Sequence, residues 1–177
     1  HIQYNNISIL IDTSPDIRQQ LIDNDIKTID SIIYTHEHAD QTAGIFEFRP
    51  FYFRNEKKIS IYCNKQTKRR LLKSYTWLFR STKLYPQVMQ IKNTKNNFAI
   101  KKDKFQIKFE SLDVIHGSTK TRGYLFNKIA YISDCKKIPN ISLSKLKNLE
   151  VLVIDCFRLK KHVTHLDLKS SIKLIKE

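Results

Sequence analysis

Two histidines and an aspartate follow a short apolar run, within the sequence Thr-His-Glu-His-Ala-Asp-Gln-Thr-Ala-Gly of residues 35–44. The preceding residues 31–34, Ser-Ile-Ile-Tyr, predict a short strand. Side chains alternate along extended backbone, so His36 and His38 point to the same side. Two imidazoles at a strand end, with the carboxylate of Asp40 beside them, are typical of a metal site. The alternative interpretation is a polar loop after a buried strand.

Two more residues of metal-binding type lie at predicted strand ends further along the chain. His116 follows the strand 112–115, and Asp134 follows the strand 129–133. Strand ends are where a rigid scaffold holds functional loops. Either residue alone would more often be an ordinary surface residue. Three strands that all end in ligand-type side chains together predict one shared site.

The predicted elements interleave strands with helices, which is typical of a layered α/β domain. Strands are predicted at residues 7–12, 31–35, 58–62, 105–109, 111–115, 123–126, 129–133 and 151–154. Helices are predicted at residues 16–23, from 42–46 onward, at 65–75, at 142–146 and at 168–175 after an Asp167 N-cap. The segment 76–95 is expected to be irregular and aromatic. A chain of 177 residues with 41% hydrophobic content predicts one domain over residues 1–177.

The composition favours an anionic partner. Lys and Arg number 32 against 17 Asp and Glu, a net charge of +15. Compositional bias in a Lys-, Ile- and Asn-rich chain is the alternative cause. Because the lysines are dispersed, nucleic acid is a less favoured partner than a small phosphate ester. Three cysteines without C-x-x-C spacing, no signal peptide and no long apolar run predict a cytoplasmic protein without a membrane segment. The start at His1 and the helical pattern at the end lead us to expect truncation at both ends.

Five motifs occur in order along the chain. They are Ile-Asp-Thr-Ser-Pro-Asp-Ile-Arg-Gln-Gln-Leu at 11–21, Thr-His-Glu-His-Ala-Asp at 35–40, His116-Gly117, Tyr-Ile-Ser-Asp at 131–134, and His162-Val-Thr-His165. Together they resemble the metallo-β-lactamase fold, and more closely its phosphodiesterase branch. That branch includes phosphoribosyl 1,2-cyclic phosphate phosphodiesterase and is related to tRNA 3′-processing endonucleases. The resemblance implies a four-layer αββα sandwich with two divalent metal ions, zinc or manganese.

The resemblance also implies roles for individual residues. His36, His38 and His116 would hold the first metal, Asp134 would bridge both metals, and Asp40 would belong to the second metal and to the catalytic set. A further residue, Asp12, either orients a metal-bound histidine or only shapes a turn.

A histidine near the last helix is implied as the general acid for the leaving alkoxide. His165 is favoured over His162 because it lies next to the predicted helix start. Phosphate contacts are expected among basic side chains, each of which alone would be ordinary surface charge, namely Arg49, Lys120, Arg122 and Arg158. Trp77 is interpreted as a core residue.

Two departures from the family pattern concern the second metal. The motif normally reads His-x-His-x-Asp-His, and Gln41 stands at its final position. An amide is a poorer ligand than imidazole, so Gln41 could bind only weakly through its carbonyl oxygen. The family's last metal histidine would follow the final helix, where this chain ends. Two metals are therefore expected, with the strength of the second site left open.

The sequence predicts a metal-dependent hydrolase that cleaves a phosphodiester, most readily a small cyclic phosphate, with hydroxide generated at the metals. One alternative is a tRNA 3′-processing-type endonuclease of the same fold. Another is a degenerate mononuclear or non-catalytic metal-binding protein, which Gln41 favours. A homodimer is left open.

Overall fold

The computed structural model describes residues 1–176, which form two compact units. The first unit comprises His1–Lys95 with Ile100–Gln106, and the second comprises Asn96–Ala99 with the chain from Ile107 onward. Each unit has its own sheet and its own buried cluster. The single domain over residues 1–177 stays a prediction. No helix within residues 1–176 combines the length and apolar character needed to cross a membrane.

The sheet of the first unit has five strands in sequential order. Only β1 is antiparallel to its neighbour, and the other neighbours pair in parallel through helical crossovers. Parallel strands are commonly covered on both faces, and β2 and β3 are buried along nearly their whole length, whereas β4 alternates buried with partly exposed residues and β5 is buried only at Met89. The strands are β1 (Ile2–Tyr4), β2 (Ile7–Ile11), β3 (Ser31–Ile33), β4 (Ile59–Tyr62) and β5 (Met89–Lys92). The sequence did not predict β1, and β5 lies in the segment that was expected to be irregular.

Four helices of the first unit follow the strands. They are α1 (Ile17–Asp23), α2 (Ala39–Thr42), α3 (Arg49–Asn55) and α4 (Lys65–Ser74). The helix predicted from residues 42–46 onward is in fact α2, a 3₁₀ turn at Ala43–Phe48 and α3. The side chain of Asn64 caps α4 by accepting the Thr67 N–H at 2.8 Å.

Close packing ties the predicted metal loop to the turn after β2. Gly44 donates its N–H to the Thr13 carbonyl at 3.1 Å, and Thr13 donates its N–H to the Gln41 carbonyl at 2.7 Å. A Cβ at Gly44 would lie 2.1 Å from the Ser14 carbonyl oxygen and 2.5 Å from Cγ2 of Ile17. The position therefore requires glycine for space, and the loop is fixed to the scaffold.

The sheet of the second unit runs in the order β10-β9-β8-β7-β6. Its strands are β6 (Asn97–Lys102), β7 (Phe105–His116), β8 (Thr119–Phe126), β9 (Ile129–Ile132) and β10 (Val151–Ile154). The two strands predicted over residues 105–115 are one strand, β7. The hairpin predicted about residues 127–128 is confirmed, because Asn127 (φ 43°) and Lys128 (φ 62°) both adopt the left-handed conformation of a type I′ turn.

Strand β10 pairs in parallel with β9 at the edge of this sheet. Although its residues are apolar, β10 is not buried along its length, since Val151 and Val153 are almost half exposed. Two helices complete the second unit, α5 (Asn140–Leu143) and α6 (Leu168–Lys176). The predicted Asp167 cap is confirmed, because its carboxylate accepts the Ser170 N–H at 3.1 Å. That hydrogen bond is the main reason why the pKa of Asp167 is lowered.

Candidate functional site

The ring nitrogens of His36 and His38 face each other in the loop after β3. Nε2 of His36 lies 3.0 Å from Nδ1 of His38, and the rings meet edge to face. Two nitrogens bound to one tetrahedral zinc at about 2.0–2.1 Å would lie about 3.3 Å apart. The separation therefore suits a shared metal ion. His36 is fully buried, so its ring orientation is set by the protein.

The other nitrogen of His36 is held by Thr35, which is held in turn by Asp12. The two Asp12 oxygens accept the backbone N–H and the hydroxyl of Thr35, each at 2.8 Å. Because the hydroxyl hydrogen is donated to Asp12, the Thr35 oxygen accepts the Nδ1–H of His36 at 3.0 Å. This assigns the His36 proton to Nδ1 and leaves the Nε2 lone pair directed at His38. Asp12 thus orients a histidine, through Thr35, and also shapes the turn, with φ at 62°.

Asp40 and Gln41 lie in α2, directly after the two histidines. The Gln41 amide donates to Oδ2 of Asp40 at 3.2 Å, and the Gln41 carbonyl accepts the Thr13 N–H. Asp40 is exposed and Gln41 is partly exposed. At the position where the family has a histidine, Gln41 instead directs an amide N–H at the carboxylate of Asp40.

In the second unit, His116 ends β7 and faces Asp134. Its Nδ1–H donates to the Thr164 carbonyl at 2.9 Å, which leaves Nε2 unprotonated. That Nε2 lies 3.9 Å from Oδ2 of Asp134. Gly117 makes the arrangement possible, because its φ is 58° and a Cβ would lie 2.7 Å from Cγ2 of Thr164.

A carboxylate that the sequence reasoning missed holds His165. Oδ2 of Asp155 lies 2.9 Å from Nδ1 of His165, and it also accepts the backbone N–H of Cys135 at 2.9 Å. The Asp155 side chain is only 8% exposed. Asp155 directly follows β10, so the strand-end rule that singled out His116 and Asp134 would have found it.

His162 lies beside His165 but has other partners. Its Nδ1 accepts the Thr164 N–H at 3.3 Å, and its ring packs on Phe157 at 4.9 Å. Desolvation lowers the pKa of His162, and the nearby charge of Arg158 lowers it further. The ring of His165 stacks on Phe157 at 4.6 Å, and the ring of His162 is tilted against both, 5.1 Å from His165.

Two of the arginines expected to contact phosphate are occupied within the second unit. Arg122 pairs with Asp113 at 2.7 Å. Arg158 donates to the carbonyls of Lys160 at 3.2 Å and Lys161 at 2.6 Å. The structure therefore assigns these guanidinium groups to contacts within the chain.

Four described residues are of metal-ligand type, His36 and His38 in the first unit and His116 and Asp134 in the second. The chemistry of this group of four fits a divalent ion, because three imidazoles and a carboxylate are common zinc or manganese ligands. Nδ1 of His36 is held by the Thr35 hydroxyl, and Nδ1 of His116 is held by the Thr164 carbonyl. Metal-bound imidazoles require such a hydrogen bond on the nitrogen that does not bind the metal. Asp40 and Gln41 are outside this group of four.

Comparison with known proteins places the chain in a family. Residues 8–177 match the Beta-lactamase superfamily domain. A structure described as a new diphosphatase from the PhnP family is 34% identical, with a TM-score of 0.87, and the match covers 98% of this chain and 65% of that one. The short form of human tRNase Z is 15% identical with a TM-score of 0.67, covering 99% and 79% of the two chains.

A curated relative is much longer than this chain. An octanoyltransferase from Porphyromonas gingivalis (strain ATCC BAA-308 / W83) is 27% identical over 168 residues, which are 94% of this chain and 34% of that protein. The chain thus spans about a third of the curated relative and about two thirds of the diphosphatase chain.

The comparisons confirm the resemblance to metallo-β-lactamase fold proteins of the phosphodiesterase branch, and with it the predicted fold class. That fold implies divalent metal ions, which agrees with the metal-ligand type of His36, His38, His116 and Asp134. The family domain covers nearly the whole chain, and the fold agrees with that of the diphosphatase at a TM-score of 0.87. The chain therefore belongs to the beta-lactamase superfamily and has the metallo-β-lactamase fold.

Proposed function

We propose that the chain is a divalent-metal-dependent hydrolase that cleaves a phosphodiester, most readily a small cyclic phosphate. The observation that carries the proposal is the facing pair of nitrogens on His36 and His38, 3.0 Å apart, with the far nitrogen of His36 held by Thr35. Membership of the beta-lactamase superfamily and 34% identity to a diphosphatase support it. The net charge of +15 suits an anionic substrate.

In this proposal the first metal is held by His36, His38, His116 and Asp134. Asp40 belongs to a second, weaker metal site and to the catalytic set, and Gln41 replaces an imidazole there. When bound, divalent ions neutralise charge on the phosphoryl oxygens and lower the pKa of bound water. The protein orients the ligands through the Asp12–Thr35 pair and the Thr164 carbonyl.

His165 donates the proton that the leaving alkoxide needs. Asp155 accepts the Nδ1–H, so the proton to be transferred is on Nε2 of the imidazolium. The buried carboxylate stabilises the charged ring before transfer, and the Cys135 N–H keeps the carboxylate in place. Water returns the proton to Nε2 after the product leaves. His162 is the weaker candidate, because its partners are a backbone N–H and a hydroxyl.

Two alternatives remain to be separated from this proposal by experiment. A tRNA 3′-processing endonuclease is favoured by the fold shared with human tRNase Z and by the positive charge. A mononuclear or non-catalytic metal-binding protein is favoured by the amide of Gln41, which contacts Asp40.

Metal analysis combined with a substrate panel tests the proposal. We expect at least one bound zinc or manganese ion, and metal-dependent turnover of ribose cyclic phosphates and nitrophenyl phosphodiesters. His116→Ala should lose metal and activity together, whereas Lys108→Ala, which alters an exposed lysine on the same strand, should retain both. Cleavage of precursor tRNA without small-ester turnover would support the endonuclease instead. Metal binding without turnover of any phosphoester would support the non-catalytic alternative.

A further inference from the structure

Three aromatic side chains and one arginine form a cluster on the first unit, and none of them is a proposed metal ligand. The guanidinium carbon of Arg49, in the first turn of α3, lies 5.2 Å from the ring centre of Phe46, 5.5 Å from Trp77 and 5.1 Å from Tyr85. We call these residues the aromatic–arginine cluster. Its rings meet edge to face, Phe46 with Trp77 at 5.7 Å and Trp77 with Tyr85 at 5.8 Å. Such geometry is favourable for both ring pairs and cation–π contacts.

The rings of this cluster are exposed to a degree that a purely structural contact does not require. Phe46 is 45% exposed and Trp77 is 38% exposed, so the interpretation of Trp77 as a core residue is wrong. Phe53, which packs on Tyr85 at 6.1 Å, is 51% exposed. Neighbouring large rings exposed on one surface mark a binding site more often than isolated exposed residues do.

The charge at the centre of the cluster is available to a ligand. Arg49 donates its Nε–H to the hydroxyl of Tyr85, which leaves the terminal nitrogens directed elsewhere. Within residues 1–176 Arg49 makes no ion pair with a carboxylate. Tyr85 thus positions the guanidinium without neutralising it. A fork of two N–H groups suits the two oxygens of a phosphate.

We propose that the aromatic–arginine cluster binds a nucleoside monophosphate. The base stacks on the exposed Trp77 ring, and Phe46, inclined at 64° to that ring, contacts the edge of the base. The phosphate accepts hydrogen bonds from the terminal nitrogens of Arg49. Stacking on aromatic rings with arginine contacts to phosphate is a general way to hold a nucleotide without reading its sequence. An inorganic anion would use only the arginine, and a nucleoside would use only the rings. The proposal does not depend on hydrolysis, because it uses none of the metal-ligand residues.

The only tryptophan of the chain is in this cluster, so its fluorescence reports binding directly. Adenosine monophosphate is titrated into the metal-free protein in the presence of a chelator, with excitation selective for tryptophan. We expect saturable quenching, with binding at least about tenfold tighter than that of adenosine or inorganic phosphate, because the nucleotide alone uses both the rings and the guanidinium. Binding of phosphate as tight as that of the nucleotide, or no saturable quenching, would overturn the proposal.

Variants separate recognition from support of the fold. Arg49→Gln removes the charge, and Arg49→Lys keeps the charge but removes the fork; each should weaken nucleotide binding by about tenfold or more. Arg54→Gln changes an exposed arginine on the same helix and should bind like the wild type. If Arg49→Gln lowers the melting temperature, the proposal is tested by the wild-type protein alone. The quantities compared are then its affinities for the nucleotide, the nucleoside and phosphate. Equal weakening by Arg54→Gln would show general charge attraction and refute the site.

Discussion

Asp155→Asn should slow the hydrolysis of esters that have alkoxide leaving groups, while esters of nitrophenol are affected little. The side chain is 8% exposed, and its Oδ2 lies 2.9 Å from Nδ1 of His165. Asparagine preserves the size and can still place an oxygen against the N–H groups of His165 and Cys135. It removes the negative charge that stabilises the imidazolium, so the proposed acid is less often in its donating form.

The magnitude follows from the difference between charged and neutral hydrogen bonds. A hydrogen bond to a charged group contributes about 1.5–3 kcal/mol and a neutral one about 0.5–1.5 kcal/mol. The difference of about 1–2 kcal/mol corresponds to a decrease in kcat of about 5- to 30-fold. The decrease should be confined to substrates whose leaving oxygen needs a proton, since nitrophenolate leaves without one.

The assay compares kcat for a cyclic ribose phosphate with kcat for a nitrophenyl phosphodiester, in the wild type and the variant. Asp113→Asn is the matched control, because it neutralises an aspartate of the same unit whose side chain is 66% exposed. An equal loss on both substrates would refute the positioning of a general acid. No loss on either would show that the carboxylate has no part in turnover.

Four further predictions concern the scaffold of the candidate site and the cysteines. Thr35→Val removes the hydroxyl that holds the adjacent histidine and should weaken zinc binding about 10- to 100-fold in a chelator competition, with unchanged circular dichroism; unchanged affinity would contradict that role. Gly44→Ala should destabilise the fold by about 1–3 kcal/mol or more in urea unfolding, because its Cβ would overlap a backbone oxygen, and a neutral effect would contradict the packing. Burial raises the pKa of Cys63 and of Cys135 to about 12, so at pH 8 a thiol reagent should modify exposed Cys156 first and the other two only on unfolding. These two raised pKa values also predict stability that is present below about pH 9 and is lost as the pH rises toward 12.

Much of the local structure could be predicted because its causes are local. Apolar runs located β2, β3 and β4 of the first unit, and β-strand alternation put His36 and His38 on one side. The strand-end positions of His116 and Asp134 came from the same reasoning, and these two side chains lie 3.9 Å apart. The hairpin at residues 127–128 needed only its two turn residues. Strands β1, β5 and β6 were missed because they lie at sheet edges, where polar residues interrupt the apolar pattern.

The sequence by itself determined the fold family, the positions of the ligand-type residues and the substitution of Gln41 for a histidine. Only the tertiary structure decided which groups contact each other. Asp155 meets His165 across 10 residues, Asp12 meets Thr35 across 23, and Arg49 meets Tyr85 across 36. The physical reason is that propensity and periodicity act over a few residues, whereas a hydrogen-bond partner depends on strand register and loop path. The exposed fraction of a side chain also depends on the tertiary structure. For this reason Trp77 was predicted to be a core residue, although it is exposed in the folded chain.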